Sequence, residues 1–370
     1  MKLMVAGGGT GGHLFPAIAV ADYWTTQTPS NQKQDVFFVG TKYGLEARLV
    51  PSAGYRLYTV SQSGFKRKNG WARLVSFFQV PWSLIQALWI VYRERPDVAF
   101  GVGGYASLPG ILAAFIARIP TVILEPNAAP GLANRLLAPL VDKIISPYQE
   151  VIDCFKSKKG CVLPVPVRAS LLSACFKPKP WQGQGVFRIL VLGGSLGARD
   201  INQILSALAV QLYALGDIDV THQTGTQDEL KIKMAYESQG ILGERIHVHA
   251  FISDMAAAYA ETDLVICRAG ASTLAELACV KKPAILVPLP TATDNHQLKN
   301  AMAYARTGAA IVVEQKNLQK ELVNRVSHFL REPEQLAHMM QCADTLQAHR
   351  STAEFFKVCV SLVNSCTSLK

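Results

Sequence analysis

The chain has 370 residues, 49% of them hydrophobic: enough to bury a large core in two domains, and too apolar for a disordered or fibrous protein. Thirty-seven Lys and Arg against 27 Asp and Glu leave a formal charge of +10, which implies acidic partners: a phosphorylated substrate, an anionic membrane face or nucleic acid. The eight cysteines form no CxxC pair and no metal-ligand spacing, as in reduced, mostly buried thiols of a cytosolic protein. The apolar run before the first glycines is far shorter than a secretory h-region, so the chain is expected to stay in the cytoplasm.

The first strand is expected at residues 2–6 and runs directly into Gly7 to His13, GGGTGGH. Dense glycines between a strand and a helix leave amides open to an anion at the helix N-terminus, here around Thr10, Gly11 and Gly12. His13 adds a group that can accept a proton near neutral pH. Gly7, Gly9 and Gly12 also fit GxGxxG, the dinucleotide fingerprint. That fingerprint needs an acid at the end of the second strand, but residues 36–40 end in Gly40 and Thr41, and the nearest acid, Asp35, is at the other end.

Residues 74–92 carry no charge and are long enough to span a membrane. Ser76, Gln79, Ser83 and Gln86 gather into one helical stripe, which a spanning helix does not need, and Pro81 is expected to kink or interrupt the helix. The apolar side carries Phe77, Phe78, Trp82 and Trp89, behind a basic approach of Lys66, Arg67, Lys68 and Arg73. Two readings stand: a helix resting on a membrane interface, or one buried in the core.

Strands at 97–101, 121–124 and 143–146 follow. The glycines Gly101, Gly103 and Gly104, with Tyr105, lie between the first of these and a helix from Ser107, so they would share one sheet edge with the loop at Gly7 to His13 and with Asn127. Pro164, Pro166, Pro178 and Pro180 mark a domain boundary. A second strand–helix series has strands at 187–192, 219–222, 246–248, 264–267, 284–287 and 310–313, and its first strand also ends in glycines, Gly193 to Ala198. In open parallel sheets ligands bind beyond the carboxyl ends of the strands, so two such sheets are expected to face a central cleft.

Within that second series, CRAGASTLAEL at Cys267 to Leu277 is a strand end, a glycine turn and a helix start whose amides at Ala271, Ser272 and Thr273 can take a diphosphate. Glu276, one turn further, can accept both hydroxyls of a ribose. Asp294, expected to cap a helix, is followed by Asn295, His296, Gln297 and Asn300, groups suited to sugar hydroxyls. Asp217 and Asp219 form a DxD at the entry of a strand, the wrong end for a metal-bound nucleotide sugar. His247 and His249 share a strand face without a third ligand. Helices at 317–330, 333–347 and 352–364 close the chain.

With these residues the chain resembles the MurG family, the peripheral membrane N-acetylglucosaminyltransferases that make lipid II from lipid I in bacterial peptidoglycan synthesis. The resemblance rests on GGTGGH at Gly8 to His13, GGYAS at Gly103 to Ser107, PGLANRLL at Pro130 to Leu137, PVR at Pro166 to Arg168, GGSLGA at Gly193 to Ala198 and RAGASTLAEL at Arg268 to Leu277. It implies the GT-B fold, an α/β architecture of two Rossmann-like domains with parallel sheets. Residues 1–163 with a returning C-terminal helix, 350–370, would hold the lipid acceptor, and residues 164–349 the UDP-N-acetylglucosamine donor.

On the donor side the resemblance implies main-chain recognition of uracil at Ile252, the ribose on Glu276, the diphosphate on Ser195 and on Ala271, Ser272 and Thr273, the sugar on Gln297 and Asn300, and Arg168 near the cleft. Thr10, Gly11, Gly12, Tyr105, Glu125, Asn127 and Asn134 would meet the acceptor. Phe65, Lys66, Arg67, Lys68, Trp71, Phe77, Phe78, Trp82 and Trp89 would face the membrane. Two departures stand out: the family's HEQN is here Leu124, Glu125, Pro126 and Asn127, and the Gly and Asn before PVR are Pro164 and Val165.

The reading is an inverting transfer in which the muramyl 4-hydroxyl of lipid I attacks the anomeric carbon of UDP-N-acetylglucosamine. His13 is the base, and main-chain amides rather than a metal neutralise the departing diphosphate. No metal, cofactor or nucleic acid is expected. The partners are the two substrates, the cytoplasmic face of the bacterial inner membrane, where the protein would sit peripherally, and cell-wall synthesis proteins. A UDP-N-acetylglucosamine epimerase of the same fold and a non-catalytic donor-binding scaffold are the alternatives.

Overall fold

The computed structural model describes residues 1–27, 35–61, 70–173, 179–193, 198–346 and 348–367. The chain folds into two compact units, residues 1–169 with 350–370 and residues 170–349.

The first unit is built on a seven-stranded parallel sheet in the order β3-β2-β1-β4-β5-β6-β7. The strands are β1 (Leu3–Ala6), β2 (Val36–Gly40), β3 (Arg56–Thr59), β4 (Val98–Gly101), β5 (Thr121–Leu124), β6 (Lys143–Ser146) and β7 (Gly160–Val162). Its central strands are buried on both faces, which is why they read as continuous apolar runs rather than alternating ones. The helices are α1 (Gly11–Gln27), α2 (Glu46–Ser52), α3 (Gly70–Glu94), α4 (Ser107–Ile116), α5 (Leu132–Leu137) and α6 (Gln149–Cys154). The short α7 (Ala169–Ser173) follows β7. The edge strands β3 and β7 escaped the sequence reading. The first, RLYT, is polar and half-exposed, and the second has three residues beginning with glycine, so neither carries the apolar run that marks a central strand.

The second unit has a six-stranded parallel sheet, β10-β9-β8-β11-β12-β13. Its strands are β8 (Phe187–Leu192), β9 (Ile218–Gln223), β10 (Ile246–His249), β11 (Leu264–Cys267), β12 (Ala284–Leu286) and β13 (Ala310–Val312). Around it lie α8 (Arg199–Tyr213), α9 (Glu229–Glu237), α10 (Met255–Ala260), α11 (Ala271–Val280), α12 (His296–Ala305), α13 (Gln315–Arg331) and α14 (Glu334–Asp344). Its core joins Val191, Ile266 and Ile285 of the sheet to Ile201 and Leu205 of α8 and Leu318 and Leu322 of α13. In both sheets the strand order reverses beside the first strand of the series, β1 or β8, so the loops that follow these strands sit at topological switch points.

The last helix, α15 (Ser351–Thr367), belongs to the first unit. Phe356 meets Tyr23 and Trp24 of α1 edge-on, Phe355 stacks near Phe100 of β4, and Val167 N–H donates to Thr352 Oγ1. Residues 164–169 therefore pack with the first unit.

Pro81 does not interrupt α3, which runs unbroken from Gly70 to Glu94. Pro81 is exposed, and a carbonyl freed by proline on a solvent face can take water instead. Of the polar stripe, the two residues whose side chains are described turn toward the protein rather than to solvent. Ser83 is fully buried and Gln86 Oε1 accepts from Ser61 N–H, whereas Trp82, Ile85, Trp89 and Tyr92, at steps of three and four, are each more than half exposed.

Candidate functional site

In the first unit the loops after β1, β4 and β5 are neighbours because those strands are. His13 lies in the first turn of α1, and its Nδ1 is 3.2 Å from Thr10 Oγ1. In the tautomer that donates Nδ1–H to Thr10, the basic lone pair is on Nε2. The second glycine cluster exists to make room for this ring. Gly103 and Gly104 have φ of 88° and 75°, and a β-carbon at Gly103 would sit 3.2 Å from His13 Nε2 and 3.5 Å from Asn134 Nδ2. At Gly104 it would strike Gly8 O at 2.7 Å.

Glu125, at the end of β5, is 2% exposed. Oε1 accepts Asn127 N–H and Asn127 Nδ2, both at 3.1 Å, while Oε2 accepts Gly131 N–H at 2.8 Å and Asn134 Nδ2 at 2.9 Å. Its carboxylate thus builds the loop that presents Asn127. Asn134 Nδ2 also donates to Leu124 O, which fixes the amide's orientation because both partners are acceptors. Asn134 Oδ1 is consequently turned the other way, buried, and has no hydrogen-bond partner among the described residues. Leu124, where the resembled family has histidine, is buried in the sheet. Tyr105 is half-buried in the turn before α4.

One group in this cluster was invisible in the sequence. Glu46, at the start of α2, is completely buried, and its carboxylate accepts Gly9 N–H at 2.8 Å, Thr41 N–H at 3.0 Å and Thr41 Oγ1 at 2.7 Å. The Gly9 amide, which the sequence reading left open for an anion, is therefore engaged by a carboxylate.

In the second unit α11 begins at Ala271 with Gly270, which has no side chain to cap the helix, at its N-cap, so the Ala271, Ser272 and Thr273 amides form an electropositive helix end. Glu276 follows one turn on, its Oε2 accepting the Tyr259 hydroxyl of α10 at 3.2 Å. Burial, with the charge of Glu276 adding, pushes the Cys267 thiol up to about 12 and makes it inert. Arg268 is buried too, its guanidinium spanning Val287 O, Pro288 O and Gln315 Oε1, and burial lowers its pKa. It ties the loops after β11 and β12 to α13.

The cap of α12 is Asn295 rather than Asp294. Both residues have a φ of 54°, and the first helical residue is His296, so the sequence reading was one residue early. Gln297 Oε1 accepts Leu289 N–H at 3.0 Å, and the fully buried Asn300 donates from Nδ2 to Ala269 O at 3.2 Å, joining α12 to the turn before α11. Ile252 N–H donates to Gln223 Oε1 at 2.9 Å. Arg168 lies in the first unit with its guanidinium 5.2 Å over the Phe15 ring. Ser195 and the patch residues Phe65, Lys66, Arg67 and Lys68 lie outside the described residues, as do the side chains of Trp71, Phe77 and Phe78.

The helices α3, α4 and α5 pack side by side. They expose Trp82 (56%), Ile85, Trp89 (57%) and Tyr92, then Phe115 and Ile116, then Leu132 and Leu136. Arg93, 5.1 Å above the Trp89 ring, and the exposed Arg118 and Arg135 supply positive charge on the same helices or at their ends. Among the described residues no helix is long and apolar enough to cross a membrane.

Residues 3–146 match the glycosyltransferase family 28 N-terminal domain and residues 188–355 its C-terminal domain. The chain belongs to glycosyltransferase family 28. A family 28 chain is thus expected to resemble characterised transferases along its whole length, and it does. It is 42% identical to the UDP-N-acetylglucosamine–N-acetylmuramyl-(pentapeptide) pyrophosphoryl-undecaprenol N-acetylglucosamine transferase of Anaeromyxobacter sp. (strain K), over 98% of this chain and 93% of the relative. The crystal structure of Acinetobacter baumannii MurG superposes with a TM-score of 0.76 at 31% identity, covering 97% of this chain and 99% of that one. The architecture is GT-B. The crystal structure of a putative UDP-N-acetylglucosamine 2-epimerase from Listeria monocytogenes superposes with a TM-score of 0.65 over 96% of this chain and 94% of its own. At 14% identity that likeness reports the fold alone.

Proposed function

We propose that this family 28 enzyme transfers N-acetylglucosamine from UDP-N-acetylglucosamine to the 4-hydroxyl of the muramyl sugar of lipid I, yielding lipid II with inversion. The reading is carried by one observation in the first unit. His13 Nε2 lies 3.2 Å and Asn134 Nδ2 3.5 Å from one point at Gly103, the position a β-carbon would take there. An imidazole held beside an acceptor sugar's hydroxyl is the base for its proton.

In the reaction the 4-hydroxyl proton passes to His13 Nε2, the oxygen attacks C1 of the donor sugar opposite the diphosphate, and the C1–oxygen bond breaks to release UDP. The uncapped amides of α11 and their dipole stabilise the charge that grows on the diphosphate. Glu276, oriented by Tyr259, holds the ribose. Gln297 and Asn300 shape the sugar side, Ser195 and Arg168 complete the donor contacts, and Thr10, Gly11, Gly12, Tyr105 and Asn127 border the acceptor.

The exposed aromatic face of α3, with the apolar residues of α4 and α5 and the nearby arginines, would rest peripherally on the cytoplasmic leaflet, where the lipid acceptor is found. Each basic residue at an anionic surface adds roughly 1 kcal/mol, and amphipathic tryptophans suit that depth.

The test is donor plus a lipid I analogue, with UDP and disaccharide detected separately, for the wild type and His13→Ala at saturating substrates. Disaccharide formation by the wild type and its loss in His13→Ala are expected. UDP without disaccharide, epimerised sugar, or a His13→Ala variant near wild-type turnover would overturn the reading.

A further inference from the structure

The buried carboxylate of Glu46 plays no part in the chemistry above, yet it lies directly beneath the loop that carries His13. Three hydrogens converge on it: Gly9 N–H on Oε2, and Thr41 N–H and the Thr41 hydroxyl on Oε1. All three partners donate, which suits an acceptor-only carboxylate. The surrounding glycines leave no slack: a β-carbon at Gly8, Gly40 or Gly44 would overlap the Glu46 side chain at 2.8 Å or less. A charged group packed this tightly and wholly out of solvent is costly unless its partners are fixed.

Gly9 is the hinge of the arrangement. Its φ of 91° is open to glycine, and nothing else lies within 4 Å of where its β-carbon would be, so packing does not hold it. The bond to Glu46 does. The next residue, Thr10, bonds His13 Nδ1 through its hydroxyl and accepts the His13 and Leu14 amides, starting α1.

We infer that Glu46 is a positioning residue for His13: its carboxylate pins Gly9, Gly9 sets Thr10, and Thr10 orients the imidazole. The inference rests on His13 being the base. It also assigns the loop a different task from an anion cradle, since a fixed negative charge engages its central amide.

Glu46→Gln isolates the link. The carboxamide oxygen can keep the Thr41 bonds, while its NH2 group, a donor, then meets the Gly9 N–H. The expected result is a fall in kcat of roughly ten- to a hundredfold, the equivalent of one charge-assisted hydrogen bond, with KM for UDP-N-acetylglucosamine unchanged because the carboxylate bonds Gly9 and Thr41, neither of which is given a donor contact.

Combined with His13→Ala, Glu46→Gln should cost nothing further, since both act on one group. Should Glu46→Gln fail to fold, Glu46→Asp, which keeps the charge on a shorter arm, is expected to show the same kcat loss and the same non-additivity. A variant within twofold of wild type, a raised donor KM at constant kcat, or losses that multiply with His13→Ala would overturn the inference. Failure of the base itself is read separately, from His13→Ala alone.

Discussion

His222 offers a quantitative test of how the second unit is held together. It is the fifth residue of β9 and completely buried, with Nε2 3.1 Å from Asn202 Oδ1 and Nδ1 2.9 Å from the Tyr236 hydroxyl. Asn202 Nδ2 already donates to Thr224 O and to Asp228, so its oxygen faces the ring; Nε2 must carry the proton and Nδ1 must accept from Tyr236. Burial pushes the His222 pKa down from 6.5 to about 3. The unfolded chain therefore takes up a proton below pH 6.5 that the folded chain refuses until about pH 3, and stability is lost as pH falls through that window. At pH 5 the loss is about 2 kcal/mol, from 1.5 units below the unfolded value at roughly 1.36 kcal/mol each. His222→Gln retains a donor for Asn202 and an acceptor for Tyr236 but cannot titrate. Urea unfolding of both proteins at pH 7.5 and pH 5 should show the wild type's advantage over the variant shrinking by about 2 kcal/mol at the lower pH. An advantage equal at the two pH values would mean that His222 is charged in the fold or solvated, and the tautomer argument would fail.

Three further outcomes follow from the site geometry. Tyr259→Phe removes the hydroxyl that orients Glu276, so steady-state kinetics should show donor KM rising roughly five- to tenfold with little change in kcat, less than the full worth of a hydrogen bond to a charged group because the lost bond orients Glu276 and does not touch the ribose; an unchanged KM would separate Glu276 from the ribose. Gly103→Ala places a methyl 3.2 Å from His13 Nε2 on a backbone with φ of 88°, and should lower kcat at least tenfold while donor binding, measured by calorimetry, stays intact. Trp82→Ser with Trp89→Ser should weaken sedimentation with vesicles of anionic lipid, and raising the salt should weaken the wild type further; binding unaffected by both would place the membrane contact elsewhere.

What the sequence disclosed and what it hid divide along a physical line. Local signals survived: apolar runs gave the central strands of both sheets, and glycines between strand and helix marked the loops at the carboxyl edges. Glu46 could not be found this way, because its bond to Gly9 joins residues far apart in sequence and only the pairing of β1 with β2 brings them together. For α3 the periodicity was legible but its sense was not. The sequence gathered the polar residues into one stripe without saying which side it takes, and in the fold Ser83 is inside and Trp82 outside. Glu125 shows a third limit. The resemblance made it an acceptor contact, and what the sequence could not show is its setting: it accepts four hydrogen bonds, from Asn127, Gly131 and Asn134 of α5.

These corrections change the division of labour between the units. The sequence alone offered similar glycine loops after β1 and β8 and invited the same anion-binding role for both. In the first unit, however, Glu46 and Glu125 lie buried at the same sheet edge, beneath the loops after β1 and β5, and accept main-chain N–H groups of Gly9, Thr41, Asn127 and Gly131, so amides there are turned toward internal carboxylates. The second unit presents the opposite polarity, the open N-terminus of α11, suited to a leaving diphosphate. Ile252 N–H is already engaged by Gln223 Oε1, so a uracil recognised there must displace that side chain, and donor discrimination then includes the loss of an internal hydrogen bond. In the proposed reaction, proton acceptance and leaving-group stabilisation fall to two edges of unlike polarity, although the sequence introduces both with the same glycines.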